Sequence, residues 1–300
     1  MEIVLMHRLL VSLPAFLLLA SCSAAAPTPS PSANPPTMLP ILVSSELAKG
    51  PTRFLFSLTD RANQLIAAPN VDVHLVFYDV DVAPDTVAFE SDSRFIWAVE
   101  GERGLYVAHV EFSSAGRWGT RFNATFPDGR TQTVRADYDV RETTSTPAIG
   151  TTAPSVDTPT AAGAGDLGSI SSDPEPEPRF YETSIAEALA AGKSFVVAFA
   201  TPAFCRTATC GPTLETVKSV AEDYPDLTFI NVEPYVMEVR DGSLQLVRSA
   251  DGQLQAAPWT EAWGLVTEPF VAVVDDQGTV RAKFEGTIAA DELVEAIEAL

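Results

Sequence analysis

The sequence predicts a multidomain chain, an all-β domain followed by an α/β domain, and three observations carry that reading. Residues 40–141 repeat an alternation of apolar and polar positions and show no helical period. From residue 179 onward, helical and strand patterns alternate along the chain. Between them, residues 142–178 are rich in Pro, Thr, Ser and Ala without periodicity, which reads as a flexible linker. A random chain of about 37 residues would span roughly 30 to 37 Å, enough for the second domain to search independently of the first.

The amino terminus comes first. Residues 9–20, LLVSLPAFLLLA, form an apolar run of signal-peptide length that is too short to span a bilayer. It ends at Leu19-Ala20-Ser21-Cys22, which resembles the lipobox of bacterial lipoproteins. The resemblance implies a lipoprotein signal segment over residues 1–22 cleaved just before Cys22, acylation of Cys22 as the first mature residue, and anchoring on the outer face of the cell membrane. The other reading is an ordinary signal peptide cleaved a few residues later; export follows from both. Residues 23–39, dominated by Pro and Ser, read as a tether. With 19 Lys plus Arg against 40 Asp plus Glu, a formal charge of -21, nucleic acid is excluded as a partner. The supply of 3 His, 3 Cys and 4 Met excludes a multi-metal enzyme.

In the first domain, RFLFSL, VDVHLVFYDV, SRFIWAV, GLYVAHVEF, GTRFNATF and TVRADYDV each alternate with period two, the mark of strands with one covered face. Pro127-Asp128-Gly129 and Ser113 to Gly116 read as tight turns between them. This number of strands in about 100 residues argues an immunoglobulin-like sandwich. Gly104-Leu105-Tyr106 together with Ala115-Gly116-Arg117-Trp118 resembles a corner of YtkA-like and copper-resistance extracytoplasmic sandwich domains. Those relatives raise a metal question. The alternation sends Val71, Val73, Leu75 and Phe77 to one face, and Tyr106, Ala108, Val110 and Phe112 to another, leaving His74 and His109 outward. A copper site from the pair would need their strands to be neighbours and a third ligand.

In the second domain, Ser184-Ile-Ala-Glu187 is a capping-box spacing that opens a short helix ending at Gly192. FVVAFA at 195–200 is a continuous apolar run, the sign of a strand covered on both faces. Pro212 and Thr213 introduce a helix over LETVKSVAEDY, followed by the strand LTFINV. PFVAVV, the turn Asp275-Asp276-Gln277-Gly278 and the strand Thr279 to Phe284 read as a hairpin, and Leu293, Val294, Ile297 and Leu300 share one side of a closing helix. SLQLVRSADGQLQ reads as an added hairpin.

FVVAFATPAFCRTATCGPTLETVKSVAEDYPDLTFINVE and WGLVTEPFVAVVDDQGTVRAKFEGTIAADELVEAI together resemble the thioredoxin fold family. The resemblance implies an α/β thioredoxin-like domain over 179–300 and thiol–disulfide exchange through Cys205 and Cys210, a C-x4-C variant of the usual motif. It implies Cys205 as the attacking sulfur, Cys210 as the resolving one and Arg206 as a cation beside the thiolate. Glu268 and a cis Pro269 would face the cysteine loop across a substrate groove, with Phe204, Trp263 and Trp259 beside it. The chain departs from the family at Ala198, where a buried acid is usual, so no proton shuttle is visible, and at Phe204, where Trp is usual. No cofactor is implied, and the client is a protein thiol or disulfide. Two other readings stay open. Cys205 and Cys210 could form a structural disulfide in a binding or scaffold module, or, with Met237, handle copper, although the domain has no His to complete such a site.

Overall fold

The computed structural model describes residues 38–300, which lie within one compact unit. Its first half contains β1 (Met38–Leu42), β2 (Gly50–Asp60), β3 (Asp72–Asp79), β4 (Phe89–Asp92), β5 (Arg94–Val99), β6 (Arg103–Phe112), β7 (Gly116–Thr125) and β8 (Thr131–Val140). These form two antiparallel sheets, ordered β1-β2-β6-β5 and β4-β3-β7-β8. The period-two pattern places Phe54, Phe56 and Leu58 of β2 in one core with Val73, Leu75 and Phe77 of β3, Tyr106 to Phe112 at alternate positions of β6, and Trp118 and Phe122 of β7. Phe56 stacks on Tyr106 at 5.2 Å between ring centres, and the Tyr106 hydroxyl donates to the carbonyl of Val71 or Ala68, each 3.1 Å away. Each such side chain contributes roughly 1.5 to 3 kcal/mol through burial. The β7–β8 turn closes on Gly129, whose φ of +80° is the left-handed conformation that glycine adopts without strain.

Residues 142–178 hold two short pieces of helix, of which α1 (Ala161–Ala164) is α-helical. Beyond them come α2 (Ile185–Ala190), β9 (Phe195–Phe199), α3 (Cys210–Glu222), β10 (Thr228–Val232), β11 (Met237–Arg240), β12 (Ser243–Leu246), α4 (Pro258–Ala262), β13 (Phe270–Val274), β14 (Val280–Glu285) and α5 (Ala290–Glu298). A third sheet has the order β10-β9-β13-β14, with β9 parallel to β10 and the other pairs antiparallel; β11 and β12 pair alone. All five residues of β9 are buried. Val196 and Ala198 face Leu214, Val217, Leu293 and Ile297 on one side, and Phe195, Val197 and Phe199 face Ile185 and Trp263 on the other.

These observations correct the predicted fold class. The structure is predominantly β, with fourteen strands in four sheets among the described residues, and no clear C-terminal α/β thioredoxin-like domain stands apart from the rest. Helices α2 and α4 are six and five residues long, and the β11–β12 hairpin pairs Met237–Arg240 with Ser243–Leu246, overlapping only the start of the run read as an added hairpin. Only one of the three strand pairs in the third sheet is parallel, whereas an alternating α/β pattern builds mainly parallel pairs.

Residues 142–178 depart from the flexible linker expected. The Gly150 amide donates to the Val280 carbonyl and the Ala153 amide to Gly278, both at 2.8 Å, and Thr152 bridges to Thr279. Ala153, Thr158, Ser171 and Asp173 are buried. Scattered anchors such as Ala153, Val156 and Ile170 hold this segment down, and their spacing follows neither helical nor strand period. The two halves also meet directly. Arg53 of β2 makes a two-pronged ion pair with Glu292 of α5, both contacts at 2.8 Å, with side chains only 10% and 3% exposed. Arg94 pairs with Asp291 at 2.6 Å, and Lys283 donates to the Thr144 and Thr146 hydroxyls at 2.8 Å.

Candidate functional site

The loop after β9 carries the chain from a buried sheet to the first turn of α3, which starts at Cys210, earlier than the Pro212 start read from sequence. Its N-cap residue, Thr209, has helical backbone angles and makes no side-chain cap. The Cys205 sulfur takes that place: it accepts the Cys210 N–H at 3.3 Å and lies 3.2 Å from the Thr207 hydroxyl. A sulfur here meets the free N–H groups and the positive end of the helix, both of which favour negative charge. Thr207 is itself 2.7 Å from the Thr209 hydroxyl, and Ala208 sits in the left-handed region at φ 59°.

Both cysteines are free thiols. Cys210 is fully buried, while Cys205 is partly exposed. A hydrogen bond from the Cys210 thiol is the largest influence on Cys205; with the Thr207 hydroxyl and backbone N–H groups it outweighs burial and brings Cys205 down to about 4. The same hydrogen bond, followed by burial, pushes Cys210 far up, so it keeps its proton. One sulfur is thus poised as a thiolate and the other as a buried thiol.

Glu268 and Pro269 lie at the start of β13, joined by a cis peptide bond. Burial raises the Glu268 carboxyl, the Tyr235 hydroxyl donates to it at 2.8 Å, and the charges of Cys205 and Arg206 act on it in opposite directions. Arg206, expected beside the thiolate, is exposed, and its charge is felt by Glu268; the sulfur is held by N–H, S–H and O–H groups. Phe204 is half-buried in the same loop. Trp263 is a correction to the expected groove: it is 0% exposed, packed against Phe199 and Phe270, and cannot touch a client. Trp259 is tied down by its indole N–H donating to the Glu233 carbonyl at 2.7 Å.

Sequence reasoning missed Glu233 and Tyr235, which follow β10 with no local pattern to mark them. Glu233 accepts the Ser172 N–H at 2.6 Å, its other carboxylate oxygen has no hydrogen-bond partner, and burial pushes its pKa up. Thr201 pulls both the Glu233 and the Cys210 pKa weakly downward against burial, so one residue bears on the buried acid and the buried thiol. His74 and His109 lie on β3 and β6, in different sheets. His74 is held by Asp92 at 2.8 Å and Glu90 at 3.1 Å, while His109 stands 3.4 Å from Glu292. No group of three or more His, Cys, Asp or Glu able to hold a metal occurs among the described residues. The lipidation site Cys22 and the signal segment lie outside the described residues, and no helix among the described residues is long and apolar enough to cross a membrane.

No protein-family model and no curated protein matches the chain. Among solved structures, the chain is similar to the crystal structure of MtrC from Shewanella baltica OS185, with 10% sequence identity and a TM-score of 0.25. The match covers 81% of this chain and 51% of that one, so this chain spans about half of that protein's length. At that score the likeness carries no argument.

Proposed function

We propose that the chain is a thiol–disulfide exchange protein acting through Cys205 and Cys210 on a protein client. The observation that carries the reading is the Cys205 sulfur placed as the cap of α3 beside a buried thiol. The Cys205 thiolate would attack a client disulfide, forming a mixed disulfide and releasing one client sulfur as thiolate, which takes a proton from solvent. Cys210 would then lose its proton and attack the Cys205 sulfur, releasing the second client thiol and leaving a Cys205–Cys210 disulfide. An external dithiol would restore the pair by the reverse exchange. The resemblance of Leu19 to Cys22 to a lipobox supports siting this chemistry on the outer face of a membrane, held by an acylated Cys22.

The test is the reduction potential of the pair in the full chain, read by mass after alkylation in defined thiol buffers. A value between about -120 and -270 mV supports exchange. A value below about -300 mV, or reduction only on unfolding, overturns it in favour of a fixed structural disulfide. The anchor is tested separately: the mass of the mature amino terminus should show an acylated Cys22, and Cys22→Ser should abolish it.

A further inference from the structure

We infer that the β-sandwich half holds the attacking sulfur in place, through Arg103 acting as a positioning residue for Cys205. Arg103 opens β6, directly after the β5–β6 turn, and its guanidinium donates to the backbone carbonyl of Thr207. Thr207 is the residue whose hydroxyl lies 3.2 Å from the Cys205 sulfur and 2.7 Å from Thr209. The next residue, Ala208, is held at φ 59°, a conformation of the kind that persists only where the surroundings over-determine it. Within the loop no glycine relieves it.

The sandwich can act as a fixed support because it is locked to the other half. The Arg53–Glu292 pair is almost fully desolvated, Arg94 reaches Asp291, and Ala289 packs against the outer face of the sheet beside Leu55, Ile96 and Val107. An arginine at the β5–β6 end therefore reaches the cysteine loop from a set distance. Its planar fork donates to a carbonyl with a defined direction, which a free surface cation would not supply. The proposal gives the sandwich a role in the chemistry: Arg103 fixes the Thr207 backbone, the Thr207 hydroxyl is thereby aimed at Cys205, and the thiolate gains a donor. Other titratable groups coupled to Cys205 are Cys210, Glu268 and Tyr235, none of which lies in the sandwich.

This inference rests on the exchange reading, and one experiment separates their failures. The rate of iodoacetamide alkylation at Cys205, resolved from Cys210 by peptide mass, is followed against pH in the reduced full chain and in Arg103→Met and Arg103→Lys. The wild-type profile tests the activated sulfur: a midpoint near the ordinary thiol value of about 8.5 overturns that reading before Arg103 is considered. Given a depressed midpoint, Arg103→Met should move it upward and slow alkylation at the wild-type midpoint by about threefold or more, with no difference near pH 9. Arg103→Lys, which keeps a donor, should recover part of the loss. An unmoved Arg103→Met profile, or equal displacement in Met and Lys, overturns the positioning role. Arg103 is exposed, and unchanged circular dichroism would confirm that the variants are folded.

Discussion

The sandwich half and the cysteine half treat buried polar groups in opposite ways. In the sandwich, the Tyr106 hydroxyl is matched to backbone carbonyls and Tyr138 meets the Thr120 hydroxyl at 2.5 Å. Burial raises both phenols, Tyr106 to about 12, so they stay neutral donors at any physiological pH. In the other half lie all the buried side-chain polar atoms lacking a hydrogen bond among the described residues: one oxygen each of Asp173, Thr213, Asn231 and Glu233, and the Trp263 indole nitrogen. Asp173 is answered by an ion pair with Lys218 at 2.5 Å, which leaves four. Each remaining group costs on the order of 1 to 3 kcal/mol, so this half gives up stability that the sandwich keeps. The cost is concentrated around β9, β10 and α3, the elements that present Cys205 and Cys210. The comparison separates a half whose buried polar groups are matched from a half that leaves several unmatched around its cysteines.

The largest effect expected on that comparison comes from the cysteines. Replacing the Cys205 thiolate by a hydroxyl, Cys205→Ser, should lower disulfide exchange by about a thousandfold or more, since a serine hydroxyl stays protonated and is a poor nucleophile for sulfur. Cys210→Ser should instead leave the first attack intact and accumulate the mixed disulfide, visible by non-reducing electrophoresis. Loss of exchange with no trapped species in Cys210→Ser would contradict the division of roles. In the sandwich, Trp118→Ala should cost about 3 to 5 kcal/mol in urea unfolding, because the side chain is fully buried against Phe89 and Phe112. The potential of the cysteine pair in the folded variant should stay put. A shifted potential would show that the core of the sandwich, beyond Arg103, reaches the site.

A smaller effect follows from Glu292, which joins the halves. Burial opposes its charge, but hydrogen bonds from His109 and Arg53 and the Arg53 charge overcome it and bring the carboxyl down from 4.5 to about 2. A folded value below the unfolded one means that stability is fully present above about 4.5 and is lost as pH falls toward about 2. The amount is about 3 kcal/mol, taking 1.36 kcal/mol per pH unit. The gap in unfolding free energy between wild type and Glu292→Gln should therefore be narrower at pH 3 than at pH 6, as the unfolded carboxyl takes up its proton. Equal differences at both pH values would place the contribution of Glu292 in packing rather than in charge.

What could be read in the sequence follows the physics of short range. The alternation that sent Val73, Leu75 and Phe77 inward is a local consequence of strand geometry, and the structure buries all three. The capping box at Ser184 and Glu187 forms, with the Ser184 amide donating to Glu187 at 2.8 Å. Segment 142–178 was illegible because isolated backbone bridges to residues more than a hundred positions away, such as Thr152 with Thr279, and scattered buried side chains hold it down. The β11–β12 hairpin turns at Asp241-Gly242, with positive φ at both, one step earlier in the chain than the run read as a hairpin. At the site, two cysteines flanking a helix start were visible as residue types. Arg103, Tyr235 and Glu233 were not, because each reaches the loop from a distant element whose register only the folded chain sets.

Glu233 gives the finest test of the contrast between the halves. Its carboxyl is pushed up by burial, against weaker downward pulls from Thr201 and Ser172. A folded value above the unfolded 4.5 reverses the sign seen for Glu292: the native state binds the proton more tightly, so stability is greatest below about 4.5 and declines as pH rises through the raised folded value. Glu233→Gln removes the titration while keeping an oxygen to accept the Ser172 N–H. The variant should match wild type at pH 4 and exceed it by about 1 kcal/mol at pH 8 in urea unfolding. A loss of stability at pH 8 that is absent at pH 4 would mean that the carboxylate is wanted in its charged form. In that case the unpartnered Glu233 oxygen would no longer count among the costs that set the cysteine half apart from the sandwich.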